Sequence, residues 1–275
     1  MSKVKALVVL SGGQDSTTCL AWAIAQGWDV SAVTFDYGQR HAIELQAAAD
    51  VAKLAGITNH EIVKVGEILA GTSPLTNKAE QLETYKDFAS MDAIIGDRVE
   101  KTFVPMRNAL FLTLAANRAV VAGANFLVTG VCEADNANYP DCRKSFINAQ
   151  EWTINEALGY NEKLPCPEAI RIQTPLIHMT KAESIHLMAE LGKLWWLAFS
   201  HTAYDGTYPP VSKDHASVLR AEGFLQSGLP DPLVLHAHME GLMDLPDTGN
   251  YRDNNDRRIL ESQIAVGVRQ LEVGL

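Results

Sequence analysis

The run Val4-Lys5-Ala6-Leu7-Val8-Val9-Leu10 passes directly into Ser11-Gly12-Gly13-Gln14-Asp15-Ser16-Thr17, and the rest of the chain is arranged around that junction. A short run of Val, Ala and Leu reads as a buried parallel strand, and paired glycines let the backbone turn sharply out of it. A helix from about Ser16 through Ala25 then carries Cys19, Leu20, Ala23 and Ile24 on one face. The amides and the dipole at the start of such a helix favour an anion, so the junction is a phosphate site. It is neither a Walker loop, which needs Lys and Ser or Thr after a second, more distant glycine, nor a dinucleotide fingerprint, which needs a third glycine.

Asp29 to Phe35 reads as a second strand and ends in Asp36-Tyr37-Gly38-Gln39-Arg40-His41. Strand, helix and strand at this spacing form a right-handed parallel crossover, so Asp36 falls at a carboxyl end beside the phosphate loop, where open α/β sheets bind ligands. A helix from about Glu44 to Leu54 and a third strand, Glu61 to Val65, follow. From Ile68 to about Lys101 the pattern breaks, with Gly71, Pro74 and Gly96 in a mobile excursion that holds one short helix around Leu82 to Met91. Ala109 to Val121 is apolar on nearly every side and predicts a central buried helix. Arg107 at its start calls for an anionic partner, either a ligand or a structural salt bridge.

Asn125 to Val131 predicts a fourth strand, and the loop after it carries Glu133, Asp135, Tyr139, Asp141 and Arg143, a set suited to substrate recognition. A helix from Lys144 to Leu158 precedes a fifth strand, Ile170 to Leu176. Thr180 is the expected N-cap of a helix reaching Leu191, with Glu183 completing a capping box. Lys181 then lies either at the ligand edge or on an exposed helix face.

With 275 residues, 47% of them hydrophobic and 20% charged, the chain is long enough for one domain with a small appendage. A formal charge of -10 disfavours a large nucleic-acid footprint. No signal peptide or long apolar span is apparent, which sets a cytoplasmic expectation. Cys19, Cys132, Cys142 and Cys166 lack CxxC spacing and read as reduced, mostly buried thiols.

The string SGGQDST resembles the pyrophosphate loop of ATP pyrophosphatases. Together with FDYGQRH, FVPMRNALFLTLAA, VTGVCEADNANYPDCR and TPLIHMTKAES, in that order, it resembles the 7-cyano-7-deazaguanine synthase family of queuosine biosynthesis over about residues 5 to 230. The resemblance implies a doubly wound parallel α/β sheet of the adenine nucleotide alpha hydrolase-like type with a helical C-terminal appendage. Residues 1–200 are then the ATP-binding and catalytic part, and 201–275 a degenerate zinc-knuckle region with a helical extension. It implies an ATP-dependent ligase that turns 7-carboxy-7-deazaguanine and ammonia into the nitrile through adenylated intermediates, with ATP and Mg2+ as cofactors.

Zinc is not expected. The family's four cysteine ligands fall on Ala203, Val211, Asp214 and Ser217, and a thiolate tetrahedron cannot be built from these. His201, Asp205, Asp214 and His215 are the remaining donors nearby, and packing around Trp195, Trp196 and Tyr208 is the expected substitute.

The nucleotide is assigned to Leu10, Ser11, Gly12, Gly13, Gln14, Asp15, Ser16, Thr17, Asp36, Gln39 and Arg40, and the chemistry to Asp15, Arg107, Lys181 and Arg143. Asp15 serves magnesium or holds the loop. A deazaguanine edge offers paired N–H donors and a flat face, which Glu133, Asp135, Asp141 and Tyr139 suit, with Arg107, Arg143 and Lys181 to hold either the carboxylate or the phosphates. Cys132 reads as packing, because adenylation needs no thiol nucleophile.

The missing cysteines and the added tail leave other outcomes open. A divergent paralogue would stop at the amide, or couple the carboxylate to an amine on another molecule such as a protein. A nucleotide-binding regulator without turnover and a tRNA-modifying pyrophosphatase are further alternatives. A homodimer and a protein partner at the C-terminal extension are expectations of the same kind.

Overall fold

The computed structural model describes residues 3–39, 43–77, 79–133, 137–163 and 165–273. Strands β1 (Lys5–Val9), β2 (Asp29–Asp36) and β3 (His60–Lys64) alternate with helices α1 (Gln14–Ala25) and α2 (Ile43–Leu54). Then come α3 (Phe88–Ile95), α4 (Arg107–Ala122), β4 (Phe126–Val128), α5 (Lys144–Ala157), β5 (Arg171–Gln173), α6 (Lys181–Glu190), α7 (His215–Ser227), α8 (Pro232–Met239) and α9 (Asn255–Glu272). The sheet order is β3-β2-β1-β4-β5 and every pairing is parallel. Strand order reverses between β1 and β4, which opens a crevice at their carboxyl ends. This is the doubly wound fold that the first strand and its loop predicted.

The period of two along β1 divides the core. Leu7 joins Val33, Phe35 and Leu127 under Leu112, Ala115 and Ala119 of α4 and Ile147 and Ile154 of α5. Ala6 and Val8 face the other way, against Cys19, Leu20 and Ala23 of α1 and Ala48, Val51 and Ala52 of α2.

Several expectations need correcting. Helix α4 is an outer layer rather than a central helix: Ala115 and Ala119 lie against the sheet, while Val120 and Val121 are 44% and 70% exposed. A sheet of five strands needs only one apolar stripe from the helix that covers it. Strand β5 is shorter than its apolar run because Pro175 lacks the N–H a ladder requires. The short helix after the third strand starts at Phe88 rather than near Leu82, because the Asp87 side chain accepts from Ser90 N at 2.9 Å and caps it there. That excursion leans on α7, with Tyr85, Met91 and Ile95 packed against Val218 and Leu219.

Beyond α7 the chain stays on the body of the protein. Val234 and Leu235 of α8 and Leu260 and Ile264 of α9 form one cluster with Ala198, packed by Trp195 and Phe199. A Cβ on Gly267 would stand 2.7 Å from both Trp195 and Phe199, so glycine is what lets α9 approach. Trp195 and Trp196 meet edge to face at 6.2 Å, and the Tyr208 hydroxyl donates to Glu240. The charged run after Arg252 holds itself together on the surface: Arg258 pairs with Asp253 at 2.7 Å and Arg257 with Glu261 at 2.7 Å.

Candidate active site

The loop between β1 and α1 is shaped by its own hydroxyls. Ser16 Oγ accepts from Ser11 N at 3.1 Å and from Ser11 Oγ at 3.0 Å, and donates to Gly13 O at 3.0 Å. Thr17 Oγ1 also donates to Gly13 O, at 2.9 Å. Gly12 has φ +83°, and a Cβ there would lie 2.5 Å from Glu44 O, so α2 can sit against the loop only because the residue is glycine. Gly130, at the end of β4, is constrained from the other side, since its Cβ would lie 2.9 Å from the Asp15 carbonyl carbon. Gly13 starts α1 without a side-chain cap, and Gly13, Gln14, Asp15 and Ser16 at that end of the helix line the crevice.

A cavity of 340 Å³ occupies that crevice. Of the residues assigned from sequence, Leu10, Ser11, Gly13, Gln14, Asp15, Ser16, Gln39, Arg107, Glu133, Tyr139, Arg143 and Lys181 line it. Four others stand behind the wall. Gly12 and Thr17 hold the loop as described, and Asp36 Oδ1 accepts from Gly38 N at 3.4 Å. Asp141 is only 8% exposed and its Oδ2 accepts from Asn108 N at 3.3 Å, at the first turn of α4. Arg40 and Asp135 lie outside the described residues.

Charge is paired across the floor. The Thr180 capping box fixes the start of α6, and Lys181 Nζ reaches Asp15 Oδ2 at 2.8 Å and Oδ1 at 3.0 Å. A Cβ on Gly223 of α7 would stand 2.6 Å from Lys181 Cγ, so that glycine makes room for the lysine stem. Burial works against the charge on Arg107, but Tyr37, Tyr139, Tyr204 and Asp141 around it outweigh this and keep it protonated. Glu44 is pushed up to about 7 by burial, with Arg107 pulling the other way. Tyr139 OH lies 2.6 Å from Thr102 Oγ1 and 3.4 Å from the buried Glu100, which pins the ring that lines the cavity.

Cys132 packs as expected, with Sγ donating to Met179 O at 3.0 Å. Nothing in the sequence marked a role for Glu44, Thr202 and Tyr204, and His215 stood out only as a donor near the lost zinc site; all four line the cavity. Glu44 lies just beyond FDYGQRH, on the first turn of α2, where a lining position was within reach of the motif. Tyr204 and His215 belong to the stretch that attracted notice for its lost cysteines; only the folded chain brings it to the loop, where His201 N donates to Gly12 O at 2.9 Å.

The same stretch answers whether a zinc centre fits. Ala203 and Val211 carry no donor atom, both oxygens of Asp214 already accept hydrogen bonds, and Ser217 contributes its backbone N–H. His201 Nε2 is within 3.0 Å of Ala203 O. The residues present therefore do not fit a tetrahedral zinc site. Among the described residues no three His, Cys, Asp or Glu side chains gather as metal ligands, and no helix is long and apolar enough to cross a membrane.

Residues 5–228 match the family described as queuosine biosynthesis protein QueC. The 7-cyano-7-deazaguanine synthase of Gloeobacter violaceus is 49% identical over 232 residues, covering 83% of this chain and 95% of that protein. The one from Laribacter hongkongensis is 44% identical, covering 83% of this chain and 93% of its own. The one from Chromobacterium violaceum is 42% identical, covering 87% and 97%. Solved structures align more loosely, among them a predicted subunit of tRNA methyltransferase from Methanocaldococcus jannaschii, 18% identical with TM-score 0.43 over 68% of this chain and 76% of that one. On the extent and identity of the sequence matches, the chain belongs to the QueC family of queuosine biosynthesis proteins.

Proposed function

We propose that the protein is an ATP-dependent ligase that converts 7-carboxy-7-deazaguanine and ammonia to 7-cyano-7-deazaguanine, releasing AMP and pyrophosphate. The observation that carries the reading is the meeting, in one cavity, of an uncapped helix N-terminus, the cations Lys181, Arg107 and Arg143, and the flat ring of Tyr139. An anion-binding end and an aromatic, hydrogen-bonding end suit a nucleotide phosphate and a planar heterocycle side by side.

A carboxylate is a poor electrophile. Its oxygen attacks the α-phosphorus of ATP, pyrophosphate leaves, and the resulting acyl adenylate is attacked by ammonia. AMP departs with the old carboxylate oxygen, giving the amide. A second adenylation on the amide oxygen, followed by loss of AMP and a proton from nitrogen, gives the nitrile. The chain's own part is to hold these anions together and offset their charge.

In this reading the amides of α1 and the hydroxyl of Ser11 receive phosphate oxygens, and Lys181 turns from Asp15 toward the phosphates. Released from Lys181, the Asp15 carboxylate suits a magnesium ion carried in with the nucleotide, which would neutralise phosphate charge. Glu133 accepts from the heterocycle's N–H donors, and Arg107 and Arg143 face the carboxylate. The division into a catalytic part, 1–200, and an appendage, 201–275, belongs to the same proposal, as do a homodimer and a protein partner at the extension.

Mass spectrometry of products formed from ATP, Mg2+, 7-carboxy-7-deazaguanine and ammonium tests the reading. Nitrile together with AMP is expected. Amide that accumulates without nitrile would point to an enzyme that stops early or needs another amine, and nucleotide binding without AMP to a regulator; either result overturns the proposal.

A further inference from the structure

Asp214 is 1% exposed and its carboxylate is fully occupied. Oδ1 accepts from Ser217 N at 2.8 Å and so caps α7. Oδ2 accepts from Tyr204 N at 2.7 Å and lies 2.9 Å from Ser212 Oγ. Ser212 Oγ is also 2.9 Å from Asp205 Oδ2, and Asp205 Oδ1 accepts from Thr207 N at 2.9 Å. One carboxylate thus ties the start of the segment at Tyr204, its middle at Ser212 and its end at Ser217. Three points of one loop drawn to a common centre is the arrangement a structural metal ion gives a knuckle. Here the centre is an anion and the spokes are N–H and O–H donors.

The tie matters for the cavity because both its ends carry lining side chains. Tyr204 is half-buried and packs against the cluster of Tyr37, Leu75 and Val104 on the side where Arg107 lies, and His215 begins α7 directly after the cap. We infer that Asp214 is a positioning residue: its carboxylate takes the place of a metal centre in closing residues 202–217, and so holds Tyr204 against the substrate end of the cavity. The part of this inference that concerns substrate rests on the function proposed above; the part that concerns the loop does not.

Asp214→Asn is the informative substitution, because a carboxamide keeps the shape and one acceptor but cannot receive from Tyr204 and Ser217 together. Hydrogen exchange on the intact protein should show the Tyr204 and Ser217 amides deprotected by about tenfold or more in the variant, with the amides of β1 unchanged. The KM for 7-carboxy-7-deazaguanine should rise by about tenfold while the KM for ATP stays as it was. Wild-type protein should contain no stoichiometric zinc and keep its Tm in a strong chelator.

Stoichiometric zinc, a Tm that falls on chelation, or unchanged exchange at Tyr204 and Ser217 in Asp214→Asn would overturn the inference. If exchange changes as expected but no deazaguanine product forms in the wild type, the functional reading fails and the loop assignment stands.

Discussion

Residues 11–17 and residues 201–217 meet at His201 and Gly12, yet they are held in different ways. The loop from Ser11 to Thr17 is tied by side chains no more than five residues apart, Ser11 to Ser16 and Ser16 to Gly13. The opposite wall is tied over longer reaches: Asp214 reaches back ten residues to Tyr204, and Arg220 bridges Asp231, Ser200 and Thr202. A local network writes itself into a short string of residues. A distant one needs the fold to bring its members together, so each member looks ordinary in the sequence.

If the second wall depends on long-range ties, breaking one should cost the most. Arg220 and Asp231 are 4% and 5% exposed at the side chain and pair at 2.7 Å. Arg220→Met leaves the buried Asp231 without its cation, with the Leu233 N–H still donating to it, and a loss of about 3–5 kcal/mol in urea unfolding is expected. A loss below about 1 kcal/mol would show that the wall does not lean on this pair. In the first wall the largest effect belongs to the backbone. Gly12→Ala puts a Cβ 2.5 Å from Glu44 O at φ +83°, and should cost about 2–3 kcal/mol or prevent accumulation of folded protein. An unchanged unfolding midpoint would mean that α2 moves away freely.

Ser16→Ala removes one donor and one acceptor of the loop's hydroxyl network and should cost about 1 kcal/mol. The smallest effect is a pH dependence. Burial pushes Glu44 from 4.5 up to about 7, so the folded state binds its proton more tightly than the unfolded chain. Its contribution is most favourable below the unfolded value and is lost as pH rises toward 7. Glu44→Gln should therefore flatten the stability profile in that window and raise stability at pH 8 by about 0.5–1 kcal/mol, a figure kept small because the cavity admits water. An unchanged slope between wild type and variant would contradict the assignment.

The strand order needs the folded chain, whereas the parallel doubly wound class follows from the apolar run Val4 to Leu10 and the loop after it, both legible before folding. So was the capping box at Thr180 and Glu183, because a capping box is local. Helix α4 misled, since Leu110 to Ala116 is apolar all round and nothing in the string says that Val120 and Val121 end on the surface. The lining places of Tyr204 and His215 were hidden for the reason given above. Asp214 stood out as a lost cysteine position and a stray oxygen donor, whereas the structure shows what its carboxylate holds.

The central claim is that the crevice joins an ATP phosphate site to a carboxylate substrate through Lys181. Pyrophosphate exchange into ATP measures that step alone. It should require 7-carboxy-7-deazaguanine, and fall by about a hundredfold or more in Lys181→Met, with the variant's fold checked by its unfolding midpoint. Exchange that runs without the deazaguanine acid, or that survives unchanged in a folded Lys181→Met, would contradict it.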